Sequence, residues 1–191
     1  MLRKTMGAGD HQKQAHFGSW MQTFQGRAVY PLDMCPDDID IIDIAHSLSM
    51  QCRFNGHTLR FFSVSEHCCL LSDACSPENR LWGLLHDAAE AYLADVPRPI
   101  KPYLKEYAGY EDAALKVIAE KYGLTLPIPD EVKRLDTLIL VNERDQAMST
   151  PPQDWDVPTV GISGLILEFW NPVVAEIEFL RRFHRLLPES L

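Results

Sequence analysis

The sequence has no C-x-x-C pair, and its five cysteines (Cys35, Cys52, Cys68, Cys69 and Cys75) are an odd number. A secreted disulfide framework and a zinc ribbon are therefore not expected, and a reducing cytoplasm fits better. Cys68 and Cys69 stand in an apolar stretch and read as small buried hydrophobes. No apolar run approaches the roughly 20 residues that cross a bilayer. The opening MLRKTMGAGDHQKQAHFGSW lacks the apolar core of a secretory signal. Both absences lead us to expect a cytoplasmic protein without a membrane partner. Glycine-rich phosphate loops, a G-x-S-x-G elbow and an H-E-x-x-H helix are also missing. Cations are few, with 18 Lys and Arg against 27 Asp and Glu, a net charge of −9. Nucleic acid is not an expected partner of so acidic a chain. A phosphorylated small molecule remains possible where a metal and a few local cations reverse the sign inside one pocket.

With 46% hydrophobic and 24% charged residues, the 191-residue chain has the composition of a globular protein and the length to bury a core. Residues 1–24 read as a polar N-terminal arm and 25–191 as one all-α domain, since no βα alternation and no internal repeat occurs. A short extended piece is predicted near Val29 and Tyr30, stopped by Pro31. Acids open a helix over 37–50. Ser65 is the predicted cap of a helix to Ala74, and Ser76-Pro77 starts another that runs to about Asp95. That helix carries Leu81, Trp82, Leu84, Leu85, Ala88, Ala89 and Tyr92, apolar nearly all round, and so reads as central and buried. Further helices are predicted over 110–122, stopped by Gly123, over 129–148, and from Asn171-Pro172 to about Leu187, with a long loop over 149–170.

On the buried helix stand His86, Asp87 and Glu90. Residues three and four apart share a helix face, so these side chains can converge. Ionisable groups left unpaired in an interior each cost several kcal/mol, by order of magnitude, and a divalent cation removes that cost. His67 on the preceding helix and Asp136, set among apolar positions of a later one, complete a candidate donor set of two nitrogens and two oxygens. Asp130 is better explained as an acid at a helix N-terminus. Phe54, Phe61 and Phe62 read first as core, with one of them available to stack on a base, and Trp20 and Trp155 read as packing.

The ordered set His67, His86-Asp87 and Asp136, within RFNGHTLRFFSVSEH, LLHDAAEAYLADVPRPIK and EVKRLDTLIL, resembles the HD-domain metal-dependent phosphohydrolases. The likeness spans about Arg53 to Asp145. Within that group it is similar to the bacterial 5′-deoxynucleotidases and to the dATP triphosphohydrolases of phages that replace adenine with 2-aminoadenine. The resemblance implies a helical HD-type domain, a divalent transition metal (Mn, Co, Zn, Fe or Ni) on His67, His86, Asp87 and Asp136, and a homo-oligomer. An additional Mg²⁺ on a triphosphate is compatible with it. It further implies catalytic roles for Glu90 and Asp95, and phosphate- or sugar-facing roles for Arg53 and Lys101.

The implied substrate is a deoxynucleotide, with dATP cleaved to deoxyadenosine and triphosphate as the leading expectation. A 5′-deoxynucleotidase acting on monophosphates stays open, because both reactions break the same 5′ ester at the same centre. So does a signalling hydrolase, although its additional motifs are not seen. A non-enzymatic helical binding protein with a vestigial metal site is the remaining alternative.

Overall fold

The computed structural model describes residues 16–187. The first fifteen residues of the expected arm lie outside them. The described chain is all-α: seven α-helices and a two-stranded hairpin. The hairpin pairs β1 (Met21–Gln22) with β2 (Ala28–Val29), Met21 opposite Val29. The extended piece expected near Val29 is β2. Its partner, β1, falls inside the stretch read as an arm.

Helix α1 (Ile41–Met50) starts where Asp40 Oδ1 accepts the Ile42 N–H at 2.9 Å. Helix α2 (Val64–Ala74) is capped by Ser63, not Ser65. Ser63 Oγ accepts the Glu66 N–H at 3.0 Å, whereas Ser65 Oγ donates to the Ala175 carbonyl. Most of α2 is buried, and it packs on α1, α3, α6 and α7. Cys68 and Cys69 are fully buried, as expected of small hydrophobes.

The helix expected over 76–95 is instead three pieces. A single 3₁₀ turn, Pro77–Asn79, leads into α3 (Arg80–Leu85), and α4 (Glu90–Leu93) follows a break. Across the break the bonds tighten to the i−3 pattern: Ala88 N–H to Leu85 O, Glu90 N–H to Asp87 O, Tyr92 N–H to Ala89 O. A 3₁₀ stretch inside a helical run often marks a functional site. Gly83 lets α3 lie against α2, since an added Cβ would stand 2.9 Å from Cys75 Sγ and 3.0 Å from Ser72 Cα. That close approach brings the start of the break alongside α2.

Helix α5 (Lys105–Lys121) begins earlier than the predicted 110, and Gly123 follows it at φ 65°, the left-handed stop. Helices α6 (Asp130–Ala147) and α7 (Pro172–Leu186) fall close to their predicted spans. Ile44, Leu48, Leu84, Leu85, Ile118 and Phe179 form the centre of the core. No helix among the described residues is long and apolar enough to cross a membrane.

Between α6 and α7 the chain has no regular element, and side chains replace the missing backbone ladder. Asn142 and Gln146, one turn apart on α6, bond Ile162, Leu165 and Leu167. The buried Glu66 carboxylate accepts from the N–H groups of Glu168, Phe169 and Trp170 at 2.7–2.9 Å. A Glu66→Gln variant presents an amide nitrogen where an acceptor is required. It is expected to lose about 1–3 kcal/mol of stability, read as a lower urea midpoint with an unchanged helical circular dichroism signal. An unchanged midpoint would show that this loop is held by its other contacts.

Candidate metal centre

Four side chains from three parts of the fold meet at one end of α2. His67 lies in the first turn of α2 and is fully buried. His86 ends α3, Asp87 sits in the break, and Asp136 is in the second turn of α6. The interruption of the helix has a consequence for geometry. His86 Nδ1 turns back to the Gly83 carbonyl at 2.9 Å, which leaves its Nε2 facing His67 Nε2 at 3.2 Å.

The donor set fits a divalent cation on several grounds. A carbonyl only accepts, so His86 Nδ1 carries the proton and Nε2 presents a lone pair. His67 Nδ1 is 2.6 Å from the Glu143 carboxylate, which in the neutral ring leaves its Nε2 as an acceptor too. Two acceptors aimed at each other need a proton or a cation between them. Asp87 Oδ2 is 3.1 Å from His86 Nε2 and 3.6 Å from His67 Nε2. These three donors lie within 4.8 Å of one another. Asp136 Oδ1 stands 3.3 Å from His67 Nε2 and 3.9 Å from His86 Nε2, so it faces the imidazole pair without joining that tightest group. Donors about 2.1 Å from one ion lie about 3–4 Å apart, the spacing found here.

The electrostatics are those of a buried charge cluster. Burial works against the charged form of Asp87, but His86, His67 and Arg53 hold it ionised, far below the usual carboxylate range. Asp136, likewise opposed by burial, is lowered to about 2 by His67 and His86. Burial and Arg53 pull His67 down, yet Glu143 and Asp136 outweigh them and raise it to about 9. Glu90 is raised to about 9, first by burial and then by the like charges of Asp87 and Asp95. It is 4% exposed, and its Oε2 has no hydrogen-bond partner.

The two cations expected to face phosphate or sugar, Arg53 and Lys101, are both paired with carboxylates. Arg53 is only 8% exposed and is bound up with carboxylates: Glu143 at 3.1 Å, Asp87 at 3.7 Å and Asp95 at 3.9 Å. It ties three acids together. Lys101 Nζ lies 3.0 Å from Glu111 and 3.6 Å from Glu90, so it neighbours the Glu90 carboxyl. Asp95 is held through its backbone N–H, which donates to Gln51 Oε1 at 3.1 Å.

Arg53, Asp87, Glu90, Asp95, Lys101 and Asp136 all line one cavity of 760 Å³. Phe54, Leu140, Met148 and Trp155 add apolar lining. Phe54 and Trp155 meet at 5.8 Å between ring centroids, tilted by 51°. Phe62 is buried core, whereas Phe54 is not, and Trp155 borders the cavity as well as packing. Phe54 and Asn55 both have left-handed backbones, φ 54° and 53°. Such strain persists only where the surroundings enforce it, and it clusters at ligand sites. His46 is engaged elsewhere, 2.9 Å from Glu176 and stacked on Phe24, while His57 lines the cavity.

Sequence reasoning missed Glu143 and Arg98. Glu143 lies seven residues after Asp136, two turns along the same face of α6, and that spacing was a usable signal. Arg98 is read only in three dimensions, where it bonds Asp136 Oδ2 at 2.6 Å.

The fold and site together define an all-α protein with a His-His-Asp donor cluster at the edge of a cavity. No family model matches the chain. It is 43% identical over 126 residues to the uncharacterized protein YfdR of Escherichia coli strain K12, covering 66% of this chain and 71% of that one. It is 31% identical over 188 residues to the uncharacterized protein RCAP_rcc00048 of Rhodobacter capsulatus, covering 88% of this chain and 96% of that one. The chain belongs to the family of these two proteins.

Proposed function

We propose that this protein is a metal-dependent phosphohydrolase of the HD type that cleaves deoxynucleotides, with dATP to deoxyadenosine and triphosphate as the leading reaction. The observation that carries the reading is the cavity itself. Asp87, of the His67, His86 and Asp87 donor group, lines it together with Glu90, and so does an aromatic corner at Phe54 and Trp155. A phosphate ester of a planar base matches both kinds of lining. The resemblance of the motif set to HD phosphohydrolases supports the same chemistry.

A divalent cation at this donor set would polarise a phosphoryl oxygen and acidify an attacking water. Glu90, whose carboxyl is pushed up by burial and by its acidic neighbours, is placed to give a proton to the departing 5′ oxygen. Asp95 lines the same cavity and is the carboxylate available to take the proton of water. The new P–O bond comes from that water, and the bond to the 5′ oxygen breaks. Arg53 keeps Asp87 and Asp95 from swinging apart, and Lys101 sits against Glu90. Phe54 and Trp155 offer apolar faces to a base.

The test is a product assay with Mn²⁺ or Co²⁺ and each dNTP and dNMP in turn. Deoxyadenosine with triphosphate is expected from dATP. Orthophosphate from monophosphates alone would replace the leading reaction by a deoxynucleotidase, and no turnover of any nucleotide with any metal would overturn the reading. Glu90→Gln is expected to keep fold and metal and to lose about 10²- to 10⁴-fold in rate. Undiminished turnover in that variant would remove Glu90 from the chemistry.

A further inference from the structure

Three Lys and Arg side chains line the cavity, and two of them are committed. Arg53 is buried among Glu143, Asp87 and Asp95, and Lys101 is shared between Glu111 and Glu90. Arg98 differs. Its side chain is 54% exposed, and among the described residues its one carboxylate partner is Asp136, through Nη2. A guanidinium has five N–H donors in a planar fork, so one edge anchored on Asp136 leaves the others for an anion.

We infer that Arg98 is a phosphate-binding residue that grips a phosphate beyond the one attacked, and so makes the site prefer a polyphosphate ester to a monophosphate. The inference rests on the phosphohydrolase reading. Asp136 sets the placement: its Oδ1 faces the His67 and His86 donors while its Oδ2 holds the guanidinium. A chain with one phosphate at the donor cluster therefore extends past Arg98. The backbone prepares that position. Pro97 and Pro99 flank Arg98, and the Pro97 carbonyl accepts the Ile100 N–H at 3.0 Å to close a turn. A residue before proline has little backbone freedom to lose, and the bond to Asp136 holds the guanidinium at the cavity before an anion arrives. Charge balance points the same way. Asp87, Glu90, Asp95, Asp136 and Asp156 also line the cavity, so a polyphosphate needs a cation that still offers N–H donors after pairing, and Arg98 uses one of its two terminal nitrogens on Asp136.

The experiment is calorimetric titration of the full chain, loaded with Mn²⁺, with inorganic phosphate and with inorganic tripolyphosphate supplied as its Mn²⁺ complex. The wild-type protein is expected to bind tripolyphosphate at least about tenfold more tightly than phosphate. Arg98→Gln is expected to remove about tenfold of that preference, the size of one charge-assisted hydrogen bond. Arg98→Lys should restore part of it. Mn²⁺ affinity, titrated separately by electron paramagnetic resonance, should stay near the wild-type value. A preference unchanged in Arg98→Gln would overturn the role of Arg98 while leaving the phosphohydrolase reading in place. Loss of Mn²⁺ binding in that variant would also overturn it, making Arg98 a support for Asp136. A wild-type protein that holds Mn²⁺ yet binds neither anion would instead defeat the phosphohydrolase reading and this inference with it.

Discussion

Asp87→Asn is expected to abolish turnover and to erase the stabilisation conferred by Mn²⁺, while leaving the helical fold in place. Asp87 Oδ2 is the one oxygen among the three donors of the tightest group, 3.1 Å from His86 Nε2 and 3.6 Å from His67 Nε2. Asparagine keeps its shape but removes the charge that complements a divalent ion. Loss of metal-centred charge stabilisation costs about 4 kcal/mol or more of barrier, about a thousandfold in rate. The companion readout needs no substrate. A ligand bound only to the folded state at a hundredfold excess over its Kd stabilises by about 2.7 kcal/mol. The wild-type melting temperature should therefore rise with Mn²⁺ and fall back with chelator, and that of Asp87→Asn should do neither. A variant with wild-type turnover would end the assignment of this cluster as the catalytic centre. A variant still stabilised by Mn²⁺ would place the metal elsewhere.

The second large effect is expected from Glu143→Gln. Glu143 is fully buried and accepts from His67 Nδ1 at 2.6 Å and from Arg53 Nη2 at 3.1 Å. Burial alone would raise its pKa, but Arg53 and His67 hold it below the ordinary carboxylate value. Breaking a buried ion pair on one side leaves the other charge uncompensated, at a cost of about 3–5 kcal/mol. Losing the carboxylate behind a ligating histidine also weakens metal affinity by about 10- to 100-fold, because the ring loses its preferred tautomer and orientation. The two effects separate in a pair of variants. Arg53→Met with Glu143→Leu removes both charges and should recover much of the stability, yet its Mn²⁺ affinity should remain low. Wild-type stability and wild-type Mn²⁺ affinity in Glu143→Gln would show that Glu143 positions nothing.

Local chemistry was legible in the sequence. The Asn171-Pro172 start is a true cap, with Asn171 Oδ1 accepting the Val174 N–H at 3.1 Å. Pro129-Asp130 opens α6, and Gly123 stops the chain after α5 in the left-handed region. These signals act within a few residues, where side-chain oxygens, ring constraints and φ preferences decide the backbone directly. The cap of α2 was misassigned by two residues because Ser63 and Ser65 are both chemically able to cap. The choice fell to Ser63, since Ser65 bonds Ala175 on α7, 110 residues away.

The candidate site divides along the same line. Residue types and order were enough to nominate His67, His86, Asp87 and Asp136, because ionisable groups in apolar helices demand partners whatever the fold. The sequence by itself determined most of the helices and several of the side chains that need compensation. Tertiary structure alone decided who compensates whom. It broke the helix at 86–89, buried Arg53 among three acids, set Glu143 behind His67 across 76 residues and left Arg98 at the cavity edge. The reason is physical: charge compensation depends on distances between elements, and those are set by how α2, α3 and α6 pack, which no local pattern encodes.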